Sequence, residues 1–216
     1  LEDAVSNYQN ALALRPDYPE AHNNLGNALK DLGKLDDAIV SYQRALFIQP
    51  DFPKAYYNLG LAFQAAGRLG QSIESYRKAI DVEPNFPEAH YNLGLVFYEE
   101  RRFDEAFNHY YQALDIRSDY AEAYNNIGII LLEFGKLEKA IQSYQKAIAC
   151  KPNYAEALAN LGIALAEQGN SKEAILSFRK AVTINPNYNE AYCILGKVFQ
   201  NAGQLEEAVA SYRKAL

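Results

Sequence analysis

The chain has 216 residues, 27 of them acidic and 21 basic, for a net charge of −6. That balance excludes a nucleic-acid backbone as the main ligand, which requires clustered Lys and Arg. No apolar run approaches the roughly 18 residues of a membrane span, and nothing at the start resembles a signal peptide. Cys150 and Cys193 are too few for a disulfide framework and lack metal-ligand spacing. Unpaired thiols suit a reducing compartment, so a cytoplasmic location is expected.

The chain repeats with a period of 34 residues. Residues 1–18 are the second half of one copy, and residues 1–14 read as a helix without its hairpin partner. Full copies follow at 19–52, 53–86, 87–120, 121–154 and 155–188, and 189–216 lacks only the last few positions of another. The chain begins without Met and inside a copy, so it reads as a segment of a longer protein. Val209, Tyr212 and Leu216 await a following helix, and end-to-end self-association through such unfinished apolar ends is expected.

Within 121–154, Tyr124, Ile127, Gly128 and Leu131 follow the i, i+3, i+4, i+7 spacing of one helix face. The spacing predicts a helix of about thirteen residues ending at Gly135, where a left-handed residue is cheap. A second stripe, Leu137, Ala140, Ile141, Tyr144, Ala147 and Ile148, runs up to Pro152, which stops it. Each copy is thus a helical hairpin, and residues 1–216 form a single all-α array without one central core. Small residues such as Gly128, Ala140 and Ala147 leave room for a large side chain of a neighbouring helix. That side chain is the aromatic at Tyr42, Tyr76, Tyr110, Tyr144, Phe178 and Tyr212.

These residues resemble the tetratricopeptide-repeat family over essentially the whole chain. The fourth-position aromatic is carried by His22, Tyr56, His90, Tyr124, Leu158 and Tyr192, the Leu-Gly pair by Leu25-Gly26 and its successors, and the late proline by Pro16, Pro50, Pro84, Pro152 and Pro186. Ser72 replaces a small Ala, Arg101 the turn glycine and Ser118 the proline. A stiffer or shifted turn is expected at Arg101-Arg102. The resemblance implies a right-handed α-solenoid superhelix of antiparallel hairpins whose first helices line the concave side.

If positions 4, 7, 8 and 11 pack inward, positions 2, 5, 6, 9, 12 and 13 lie on the opposite face. Position 6 holds Asn24, Asn58, Asn92, Asn126 and Asn160, a weak helix former five times in register. Such amides suit the backbone of an extended peptide, or they bond to the adjacent helix and to water. Tyr57 and Tyr91 at position 5, with Leu61, Leu95, Ile129 and Ile163 at position 9, add an apolar strip. Glu88, Glu122, Glu156 and Glu190 at position 2, with Glu99, Glu133 and Glu167 at position 13, form acidic rails, which either keep the array soluble or favour a ligand carrying Lys or Arg.

The asparagine register resembles the repeat superhelix of O-linked N-acetylglucosamine transferase and its bacterial relatives. In repeat domains that clamp acidic chaperone tails, position 5 is Lys; here it is Asn23, Tyr57, Tyr91, Asn125, Ala159 and Cys193, so carboxylate capture is not expected. His22 and His90 occupy the aromatic packing slot, and His109 has no companion at metal-ligand spacing. No nucleophile elbow or phosphate loop is present, and neither catalysis, a metal nor a cofactor is expected of this segment. The expected role is a protein-interaction scaffold binding an extended peptide in its groove, with a substrate-selecting region of a larger enzyme such as a glycosyltransferase, or a structural spacer, as alternatives. Neither nucleic acid nor membrane is an expected partner.

Overall fold

A computed structural model describes residues 1–216 as thirteen helices without a strand. They fall into two compact units, Leu1–Ile116 and Arg117–Leu216. The first unit holds α1 (Glu2–Leu14), α2 (Pro19–Asp31), α3 (Leu35–Ile48), α4 (Pro53–Ala65), α5 (Leu69–Val82), α6 (Pro87–Glu99) and α7 (Phe103–Ile116). The second holds α8 (Ala121–Glu133), α9 (Leu137–Cys150), α10 (Ala155–Glu167), α11 (Ser171–Ile184), α12 (Asn189–Asn201) and α13 (Leu205–Lys214).

The helix ends follow from single residues. Pro19, Pro53 and Pro87 open α2, α4 and α6, where a missing N–H costs nothing. At the other end of α4, the Gly67 N–H donates to the Gln64 carbonyl at 2.9 Å and the Arg68 N–H to the Phe63 carbonyl at 2.8 Å. This double closure requires a left-handed residue, and Gly67 supplies it at φ +70°. Arg101 takes the same conformation at φ 59°. Its N–H donates to the Tyr98 carbonyl at 2.9 Å and that of Arg102 to the Phe97 carbonyl at 2.8 Å. The turn is therefore not shifted, contrary to the expectation from sequence. The strain stays in Arg101 itself, because these two bonds and the Arg101 guanidinium over the Phe103 ring, 5.2 Å from its centre, hold the loop in place.

Each hairpin closes by one aromatic against one glycine. Tyr42, Tyr76, Tyr110, Tyr144 and Phe178 are wholly buried, and their rings lie where a side chain would stand on Gly26, Gly60, Gly94, Gly128 and Gly162. Ala38, Ala45, Ala140, Ala147, Ala174 and Ala181 are buried beside them, which lets the two backbones approach. Ser72, in a position otherwise held by alanine, is also wholly buried, and its hydroxyl donates to the Gly60 carbonyl at 2.9 Å. The polar substitution is tolerated because that hydroxyl is satisfied.

Second helices pack on the next first helix, α3 on α4 and α5 on α6 in one unit, α9 on α10 and α11 on α12 in the other. First helices also touch each other, α2 with α4, α8 with α10 and α10 with α12, to a degree that neighbouring second helices do not. Within each unit the row of first helices is accordingly the tighter, inner side.

Candidate functional site

Three of the five position-six asparagines are tied to the preceding copy. Asn58 Nδ2 donates to Asn23 Oδ1 at 2.9 Å, and Asn160 Nδ2 donates to Asn125 Oδ1 at 3.0 Å. Asn92 Nδ2 donates to the Tyr57 hydroxyl at 3.0 Å and to the Glu88 carbonyl at 2.8 Å. In all three the partner lies 35 residues back, at position 5 of the copy before. The side-chain carbonyls of Asn58, Asn92 and Asn160 receive no such bond. An amide anchored through its N–H in this way is pre-oriented, so its oxygen presents an acceptor at little entropic cost. Asn24 is exposed and Asn126 half-buried.

Position 5 is less open than a face-counting argument implies. Asn23, Asn125 and Ala159 are buried, because the next first helix covers them. Tyr57 and Tyr91 are half-buried. The Tyr57 ring packs 5.0 Å from Phe86 and 5.8 Å from Tyr76, while Tyr91 packs 5.7 Å from Tyr110. Burial, followed by the Glu88 carboxylate, raises the Tyr57 pKa and keeps its hydroxyl protonated. Asn23 and Asn125, which do the anchoring, were not among the residues expected at the site. Their signal was a spacing of one period plus one residue.

The remaining expected residues are partly or fully exposed. Leu61, Leu95, Ile129 and Ile163 are half-buried, leaving part of each aliphatic side chain to solvent. Among the position-two acids, Glu122 meets Lys151 Nζ at 2.8 Å, and Glu156 accepts from Asn125 Nδ2 at 3.1 Å. Partial burial is the largest single influence on Glu122 and opposes its ionisation, but the Lys151 bond and charge, its own backbone N–H and the Arg117 charge together outweigh burial, and its pKa falls. Glu190 is exposed, as are Glu99, Glu133 and Glu167 at position 13, with Glu99 accepting from Gln64 at 2.9 Å.

Both position-four histidines tether the preceding loop: the ring Nε2 of His22 lies 2.9 Å from the Pro16 carbonyl and that of His90 3.3 Å from the Pro84 carbonyl. No group of three or more His, Cys, Asp or Glu side chains is placed to hold a metal ion. No helix is long and apolar enough to cross a membrane.

Hairpins of this length, closed by a glycine–aromatic pair and stacked with their first helices inward, define an all-α helical-repeat solenoid of the tetratricopeptide type. Residues 3–216 match the family described as the cilia and flagella-associated protein 70 C-terminal domain, a tetratricopeptide-repeat family, and the chain belongs to it. Among solved structures, PilF of Pseudomonas aeruginosa superposes with a TM-score of 0.80 at 20% identity, over 89% of this chain and 88% of PilF. MamA does so at 0.68 and 28% identity, over 75% of this chain and 95% of MamA. YrrB, described as a TPR protein with an unusual peptide-binding site, does so at 0.67 and 21% identity, over 92% of this chain and 98% of YrrB. A comparison with curated proteins gave no match.

Proposed function

We propose that this chain is a protein-interaction scaffold whose inner side holds an extended segment of a partner protein. The observation that carries the reading is the anchored amide. Asn58, Asn92 and Asn160 each give an N–H to the copy before and leave a carbonyl without an intramolecular donor. In the first unit Asn24, Asn58 and Asn92 run beside Tyr57, Tyr91, Leu61 and Leu95; in the second, Asn126 and Asn160 run beside Ile129 and Ile163. A ladder of acceptors takes backbone N–H groups from an extended chain without reading its side chains, and the aliphatic strip takes apolar ones. The acidic rails favour a segment with Lys or Arg beside those apolar residues. A peptide-binding site on YrrB, which has the same fold, fits with this use of the architecture.

Asn58→Ala, Asn92→Ala and Asn126→Ala combined should greatly reduce capture of partner segments from a displayed peptide library, with circular dichroism confirming the helices. Equal recovery by wild type and the triple variant would remove the ladder from the binding mechanism. A second reading rests on the asparagine register, which resembles that of O-linked N-acetylglucosamine transferase. On it, the same side selects substrates for an attached catalytic domain, and the coding sequence flanking residues 1 and 216 discriminates the two.

A further inference from the structure

We propose that the groove formed by α5, α6 and α7 binds one borderline divalent transition-metal ion, of which Zn²⁺ is the type, through His90 Nδ1, His109 Nδ1 and Gln112 Oε1. This groove lies on the side of the second helices and is independent of the peptide face.

The same groove recurs along the chain. Between α3, α4 and α5 it is lined by Tyr56, Phe63, Ser75 and Lys78, and between α11, α12 and α13 by Tyr192, Phe199, Ser211 and Lys214. In two other copies a lysine at the same position lies over the position-four ring: Lys146 Nζ is 5.5 Å from the Tyr124 ring centre, and Lys214 Nζ 5.6 Å from that of Tyr192. The copy at 87–120 changes two positions that face its position-four histidine. His90, like His22, stands where Tyr56, Tyr124 and Tyr192 stand; His109 replaces the serine seen at Ser41, Ser75, Ser143, Ser177 and Ser211, and Gln112 the cation seen at Arg44, Lys78, Lys146, Lys180 and Lys214, while the partial copy 1–18 has Asn7 and Asn10 in those two columns. Only this copy sets a position-four histidine against a second histidine, with an amide in place of the cation.

Their geometry suits a metal. The two Nδ1 atoms are 3.3 Å apart. Two Zn–N bonds of about 2.0–2.1 Å at a tetrahedral angle span about that distance. His90 is buried and its Nε2–H is directed at the Pro84 carbonyl, the outer bond that commonly fixes a ligating imidazole with its Nδ1 lone pair free. Phe97 stacks on the His109 ring at 5.5 Å and holds its plane. Gln112 Oε1 is fully buried, receives no hydrogen bond of good geometry, and its side chain reaches both imidazoles. Metal binding requires His109 to move its proton from Nδ1 to Nε2, with none released. Three histidine, cysteine or carboxylate ligands are not assembled here; an amide completes the set. The facing charges are Arg77 from α5, Glu105 on α7, and Arg102, whose guanidinium is paired with Glu100 and Glu105. Glu100 and Glu105 are both held by Arg102, so no free carboxylate faces the pair, and the ion expected is one that prefers nitrogen.

The test titrates Zn²⁺ into a Cys150→Ser/Cys193→Ser chain by calorimetry and Co²⁺ by visible absorption. One equivalent is expected, with the Co²⁺ bands of nitrogen coordination. His109→Ser and Gln112→Lys restore residues that other copies carry, so the fold is kept. Each should weaken binding at least about tenfold, as loss of a ligand does. Failure to take up one equivalent, or equal affinity in both variants, would overturn the assignment.

Discussion

Three glycine-to-alanine changes separate space from backbone conformation as causes of stability. Gly128 lies within α8, and a Cβ there would stand 2.5 Å from Tyr144 Cε1. That ring is wholly buried in its hairpin and has nowhere to withdraw. Ala gains about 1 kcal/mol over Gly in a helix interior, but overpacking a tight core costs roughly 1–3 kcal/mol, at the upper end for so short a contact. The expected net loss is about 1–2 kcal/mol. Gly70 lies in the first turn of α5 with nothing within 4 Å of where a Cβ would stand, so Gly70→Ala should stabilise by about 0.5 kcal/mol. Gly135 has as much space but a φ of +66°, and Gly135→Ala should cost about 1 kcal/mol. Thermal melts followed at 222 nm read these as roughly 2–4 °C per kcal/mol for a chain of this size. Adding Tyr144→Leu to Gly128→Ala should return part of the loss, a coupling that non-interacting sites would not show. A Gly128→Ala protein as stable as wild type would refute the claim that ring-on-glycine contact sets the hairpin spacing.

Arg101→Gly should raise stability by about 1 kcal/mol, since it removes the left-handed strain that the five equivalent glycines avoid, and an unchanged melt would mean the stacking on Phe103 offsets it. The His109 pKa is depressed from 6.5 to about 4 by burial, then by the charges of His90 and Arg77. Below pH 6.5 the unfolded chain binds a proton that the folded chain refuses, so stability falls as pH drops from 6.5 to about 4 and levels off below that. Urea midpoints at pH 7 and pH 5 should therefore differ more for wild type than for His109→Ser, and identical pH slopes would show that His109 is not shielded from protonation.

Periodicity along one helix reports which residues meet the hairpin partner, and it placed Tyr144 against Gly128 correctly because both lie in one copy. It carries no information about what the next hairpin covers. Position 5 therefore counted as open face, although Asn23 and Asn125 are buried and clasp Asn58 and Asn160 from the following copy. Such a pair is visible only as an offset of one period plus one residue, which no single-helix template tests. The His90–His109 contact was hidden in the same way: a separation of 19 residues matches no local metal motif, yet the two positions flank one gap because α6 and α7 fold back on each other. Comparing the copies from residue 19 onward column by column exposes it, since there His109 breaks a column of five serines and Gln112 a column of five cations in the same copy. In a repeat protein the informative neighbour of a residue is its counterpart one period away, because structural environment is held constant there. A departure at one column is tolerated drift, as at Ser72, whose hydroxyl finds the Gly60 carbonyl. The departures at His109 and Gln112 differ from that drift because, in a complete hairpin, both face one histidine, and the copy at 87–120 sets them against His90.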